Sequence, residues 1–166
     1  MSLKLADLKK SYENRYKRDE NYIDINSGIG YLVTSLEKAR TVFSHIEKQK
    51  EKAIAVSRIP PEKFRKDYSI KTDTEIIWLT WKETELLKIS IKLIECVKTG
   101  NFVIYIEGID FLAIKHEFTS VLKMIQSLNE IIAETTSILI VGIDPDTLDQ
   151  KNFAMLKNEL VPLDIS

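Results

Sequence analysis

A single cysteine, Cys96, excludes any intrachain disulfide, and its apolar setting (Ile94-Glu95-Cys96-Val97) reads as a small buried hydrophobe. Two histidines, His45 and His116, stand far apart in sequence with no companion cysteine, so a zinc site has no ligand set. His116, between Lys115 and Glu117, reads as a solvated helix residue. Charge of one sign is also missing. The 24 Lys and Arg balance 25 Asp and Glu, so no global field favours nucleic acid or an anionic membrane. No apolar run reaches membrane-spanning length, and Met1–Asp7 is too charged for a signal peptide. A soluble, cytoplasmic protein without membrane insertion is expected.

The most telling shortage is glycine, five in 166 residues. A strand-like run, Tyr31-Leu32-Val33, leads straight into a helix-like run beginning Leu36-Glu37-Lys38. In a nucleotide-binding α/β protein, that turn is rich in glycine, so that backbone N–H groups converge on phosphate at a helix N-terminus. Here it reads Thr34-Ser35, without glycine and without a Lys-Ser or Lys-Thr pair.

What is present alternates between strands and helices. Strands are expected at Ile29–Val33, Ala53–Ser57, Glu75–Thr80, Phe102–Ile106 and Ser137–Val141, with a short edge strand at Val161–Leu163. Thr34 and Glu37 have capping-box spacing before a helix burying Leu36, Ala39, Phe43 and Ile46, and Thr80 and Glu83 repeat it before Leu86–Val97. Pro60-Pro61 starts a short helix over Glu62–Tyr68. Phe111, Ile114, Phe118, Val121, Ile125, Leu128 and Ile132 predict one long helix, and Asp144-Pro145 a last one with Leu148, Leu156 and Leu160 inward. The strands are continuous apolar runs, as in parallel sheets covered on both faces. The expected fold is a three-layer, doubly wound α/β domain over residues 31–166, its mainly parallel sheet having about five strands. Residues 1–20 read as a charged N-terminal helix with a stripe of Leu5, Leu8, Tyr12 and Tyr16, and residues 21–30 as a linker. The stripe either packs on the domain or pairs with another chain, so a homodimer through residues 5–16 is one expectation.

Candidate functional residues gather at the carboxyl ends of the strands, where open α/β sheets bind ligands. Lys38 lies one turn into the first helix. Glu107, Asp110 and Asp144 are either a residual magnesium or ligand site or, for the two aspartates, helix caps. Arg58 is placed to pair with Glu107 or Asp144 if their strands are neighbours. Trp78 reads as core; Trp81, just past the third strand, as an anchor for a partner. Residues 47–72 carry eight basic and four acidic groups, net +4, against net −6 over residues 107–166 with four and ten. That contrast fits solvated faces or a docking surface.

A set of motifs in order then becomes recognisable: Gly30-Tyr31-Leu32-Val33, Val56-Ser57-Arg58 with Pro61-Glu62-Lys63, Ile76-Ile77-Trp78-Leu79-Thr80, Ile106-Glu107-Gly108-Ile109-Asp110-Phe111-Leu112 and Ile143-Asp144-Pro145. Over about residues 28–164 the chain resembles an archaeal domain-of-unknown-function family, number 835, which often follows PAS or GAF sensor domains. The resemblance implies a cytosolic, signalling-associated domain with no established catalytic activity. More distantly the chain is similar to RecA-like ATPases of the circadian-clock type, in which a strand ending in an acidic residue holds magnesium. Glu107 stands in that place, while the phosphate loop is degenerate. The expectation is therefore a regulatory module with no enzymatic activity and no cofactor, working by protein–protein contact. The alternative is a sensor that binds a nucleotide or other anion at the carboxyl edge through Arg58, Lys38 and the helix N-termini. Nucleic-acid binding through residues 47–72 is a weaker third.

Overall fold

The computed structural model describes residues 2–4, 24–50, 52–82 and 84–165. Strands β1 (Ser2–Lys4) and β2 (Asp24–Asn26) pair antiparallel. Residues 5–23, which hold the stripe expected at the N-terminus, lie outside the described residues. The main domain then runs β3 (Ile29–Val33), α1 (Leu36–Gln49), β4 (Lys52–Ser57), α2 (Pro61–Tyr68), β5 (Glu75–Trp78), α3 (Leu86–Lys98), β6 (Phe102–Ile106), α4 (Ile109–Lys115), α5 (Phe118–Ile132), β7 (Ile138–Gly142), a 3-10 turn (Pro145–Thr147), α6 (Gln150–Glu159) and β8 (Val161–Pro162).

Six strands form one sheet in the order β5-β4-β6-β7-β3-β8, and every pairing among them is parallel. Helices cover both faces, giving the three-layer, doubly wound α/β arrangement. The two-residue period of a strand decides which side chain faces which layer. Tyr31, Val33, Ala53, Ala55, Val103, Tyr105, Ile138 and Ile140 join the core beneath α1 and α2. Leu32, Ile54, Val56, Ile104, Ile106, Leu139 and Val141 join the core beneath α3, α4, α5 and α6. The first core is built around rings: Phe43 stacks on Tyr105 at 5.3 Å and meets Phe64 edge-on at 6.4 Å. The second is mainly aliphatic, with Phe111 its one buried ring among the described residues.

Several local expectations are corrected. Ser35, rather than Thr34, caps α1, its Oγ accepting from the Lys38 amide at 3.3 Å. Helix α3 begins after Glu85 with no side-chain cap; Thr84 and Thr80 bond each other through the Thr84 hydroxyl instead, and Glu83 lies outside the described residues. The long helix expected from Phe111 to Ile132 is two helices, broken at His116-Glu117, where both residues adopt extended backbone. The break turns Ile114 outward, 75% exposed. His116 is half-buried rather than solvated, its Nε2 shielded and without a hydrogen-bond partner. Trp78 is 49% exposed instead of core, because β5 is the edge strand and pairs only with β4. Cys96 is half-buried, and burial pushes its thiol up from the usual range.

Strand order also creates a crevice. From β4 the chain moves outward through α2 to β5, and from neighbouring β6 it moves the opposite way to β7. The carboxyl ends of β4 and β6 therefore diverge, the arrangement at which doubly wound sheets carry their sites.

Candidate functional site

Glu107 follows β6 directly, and its amide bonds the Val56 carbonyl at 3.0 Å, extending the β4–β6 ladder by one step. Its side chain continues the parity of Val103 and Tyr105 and so points to the layer of α1. There Arg40, one residue after the buried Ala39, meets it. Arg40 Nε donates to Oε1 at 2.9 Å and Nη2 to Oε2 at 2.7 Å, a two-pronged pair. Glu107 is only 2% exposed. The bonding of Glu107 raises the Arg40 pKa further, against the opposing effect of burial. Arg40 Nη1 also donates to the Tyr68 hydroxyl at 3.4 Å, and that hydroxyl donates to Glu37 Oε2 at 2.8 Å. Burial pushes the Tyr68 phenol up.

Tyr105 lies directly beneath. Its hydroxyl is buried and makes no hydrogen bond of full geometry, although it lies within reach of the Glu107 carboxylate; burial first, then the Glu107 charge, hold the phenol far above its usual range. Gly142 makes the room: a Cβ there would lie 2.7 Å from the Tyr105 hydroxyl and 2.7 Å from Ala39 Cβ. A buried polar group that never finds a partner costs about 1–3 kcal/mol. Tyr105→Phe is accordingly expected to leave the melting temperature unchanged or raise it by roughly 2–4 °C. A drop in a thermal melt would mean that the hydroxyl bonds Glu107 or a buried water.

The other expected residues do not converge on Glu107. Arg58 has the parity of Ile54 and Val56, so it faces the opposite layer. Its guanidinium sits 3.9 Å over the Phe111 ring and bonds the Leu79 carbonyl at 3.3 Å. The anticipated pairing with Glu107 or Asp144 is replaced by this stack. Lys38 Nζ donates to the Ile165 carbonyl at 2.7 Å. Asp144 is exposed and caps the 3-10 turn through the Asp146 amide at 3.0 Å, while Asp149 caps α6. Asp110 occupies the first turn of α4, whose cap is Gly108 with φ +83°. Trp81 is 56% exposed, edge-on to Phe111 at 4.6 Å. Among the described residues, no three His, Cys, Asp or Glu side chains gather as metal ligands.

Arg40, Tyr68 and Tyr105 are the residues that reasoning from sequence missed. Strand parity was the available signal for the first: it sends Glu107 to the α1 side and Arg58 away from it.

Residues 32–160, from β3 through α6, match the family described as protein of unknown function DUF835. The chain belongs to this family. The matched span contains Arg40, Tyr68, Tyr105, Glu107 and Gly142, so the whole network lies inside the DUF835 domain. No curated protein matches the chain. No helix among the described residues is long and apolar enough to cross a membrane.

Chemically, the network is closed on itself. The acidic side chain at the end of β6 has both oxygens bound by a guanidinium of the same domain. Just two residues join β3 to α1, too few to wrap a phosphate group in backbone amides. The lysine of that first turn holds a carbonyl. The arrangement stabilises the joint between α1 and the sheet and leaves the apolar surface near Trp81 uncovered.

Proposed function

We propose that this DUF835 domain is a non-catalytic regulatory module that works by protein–protein contact. In keeping with the resemblance described above, it would belong to cytoplasmic signalling in an archaeal cell, on a degenerate RecA-like frame. One observation carries the reading: large apolar side chains stand exposed around the carboxyl edge while the charged centre of that edge is internally satisfied. Trp78, Trp81 and Ile114 are exposed there, and Leu87 and Ile91 are exposed along α3. Large exposed apolar side chains of this kind mark interaction surfaces on single domains. The bidentate Arg40–Glu107 pair supports the same reading, since the carboxylate is buried and its charge is already balanced by a guanidinium.

Nucleic acid fits less well. Cations of the basic stretch are spent internally: Lys50 on Asn101 and the Thr136 carbonyl, Arg65 on the Thr74 carbonyl, Lys63 on Asp67 and Lys71 on the Lys50 carbonyl.

Titration with magnesium-ATP, by calorimetry and by thermal melt, tests the proposal. A ligand at a hundred times its dissociation constant stabilises by about 2.7 kcal/mol, which moves a domain of this size by several degrees. The expected result is no heat and no shift at millimolar nucleotide. A saturable ATPase rate abolished by Glu107→Gln would overturn the reading, and a nucleotide-dependent shift would favour an anion sensor instead.

A further inference from the structure

The corner between β4, β5 and α4 holds a group of side chains that the Arg40–Glu107 network does not use. Phe111 is its base. Trp81 packs edge-on against that ring at 4.6 Å, and the Arg58 guanidinium lies over it at 3.9 Å. Lys115 Nζ bonds the Trp81 carbonyl at 2.6 Å, and Trp78 Nε1 bonds the Arg58 carbonyl at 3.2 Å. Gly108 keeps the packing tight: a Cβ there would lie 2.6 Å from Leu79 Cδ1 and 3.4 Å from Arg58 Cγ. The aromatic surface and both cations are thus held in place before anything binds.

Two features define what would fit. The first is charge. Arg58, Lys82 and Lys115 form no ion pair with any described residue, whereas exposed Lys63, Lys88 and Lys92 each have an acidic partner. Asp110, next to Phe111, forms no ion pair with a described residue either. Arg58 spends one bond on the Leu79 carbonyl, so most of its planar fork remains to grip a carboxylate on two prongs. The second feature is apolar. Trp81 is 56% exposed and Ile114, one helical turn beyond Phe111, is 75% exposed. Exposed tryptophan beside a stacked arginine is the composition of an interface centre.

We propose that the Arg58–Trp81–Phe111 corner docks an acidic segment of a partner protein that carries an apolar anchor. The segment's carboxylates meet Arg58 and Lys115, and its anchor covers Trp81 and Ile114. Because Arg58 is already stacked, binding orders little further side chain, which favours affinity. A nucleic acid would use the cations and the rings but gain nothing from the exposed Ile114. This inference rests on the interaction reading above and adds the chemistry of the partner.

The chain's two tryptophans, Trp78 and Trp81, both belong to this corner, so intrinsic fluorescence reports on it directly. The full chain is titrated with a short amphipathic peptide having a Leu/Phe stripe on a Glu/Asp background. The same stripe on a Lys background, the acidic peptide with its stripe changed to serine, and an oligothymidylate are titrated alongside. The expected result is a saturable fluorescence change with the acidic, striped peptide, at least about tenfold weaker with each of the others. Arg58→Glu, checked for an unchanged melting temperature, should invert the preference between the two charged peptides; Lys115→Gln should weaken the acidic one without inverting it. Equal binding of both charged peptides overturns the acidic preference while leaving an interaction module standing. Tighter binding of the oligothymidylate, or no fluorescence change with the acidic peptide at millimolar concentration, overturns the proposal outright.

Discussion

Arg40→Ala is expected to lower the melting temperature by roughly 6–20 °C, the equivalent of about 3–5 kcal/mol for a domain of this length. The reason is the partner left behind. Glu107 is 2% exposed, and in the native protein both carboxylate oxygens are bound by Arg40. Removing the guanidinium strands a carboxylate at the joint of α1, β6 and β7, where the buried Tyr105 hydroxyl is a poor substitute for two guanidinium bonds. Glu107→Gln is expected to cost less. The amide keeps the shape and one acceptor, and Arg40, itself partly exposed, recovers some hydration.

The double variant Arg40→Met with Glu107→Leu separates two explanations. Where the pair serves stability alone, replacing both charges with apolar groups of similar volume is neutral or favourable. Recovery of most of the lost melting temperature is therefore expected. Magnesium added to Arg40→Ala completes the test. A rise in its melting temperature with magnesium, absent in the parent chain, would show that the guanidinium occupies a cation's place at this edge. No rise would leave the pair as a clamp between α1 and the sheet.

The sheet was largely legible from sequence because its strands are uninterrupted apolar runs. Phe102–Ile106 and Ile29–Val33 have the expected limits, and Val161–Pro162 forms the expected edge. What failed had local causes. Phe111, Ile114 and Phe118 keep helical spacing straight through His116-Glu117, and neither glycine nor proline marks the break. Thr34 and Ser35 are both competent caps, as are Asp144 and Asp149, so neighbouring composition did not decide between them. The exposure of Trp78 follows from strand order, a property of the whole sheet that its own neighbours do not encode. The charged network was half legible. Glu107 stood out at a strand end, but Arg40 is one of several charges on α1, and only the alternation through Val103 and Tyr105 links the two.

Phe43→Ala is expected to cost about 3–5 kcal/mol, again roughly 6–20 °C in melting temperature. Phe43 is fully buried, stacked on Tyr105 and edge-on to Phe64, which in turn packs against Tyr68 at 5.3 Å. These rings are the body of the core under α1 and α2, and the sheet separates them from the side chains of the opposite face, which cannot move in to fill the gap. The loss should therefore be uneven. Phe43 lies one turn beyond Arg40, so a cavity beneath it loosens the segment that carries the Glu107 clamp. Amide exchange in α1 and α2 should quicken more than in α3 and α5, whose packing stays intact. Phe43→Leu, which retains much of the volume, should fall well short of the alanine cost, because the cavity contribution is small and only the ring contacts are lost. Uniform quickening across all helices in Phe43→Ala would instead mean that the two faces unfold as one unit, and that the clamp between α1 and the sheet governs the stability of the whole domain.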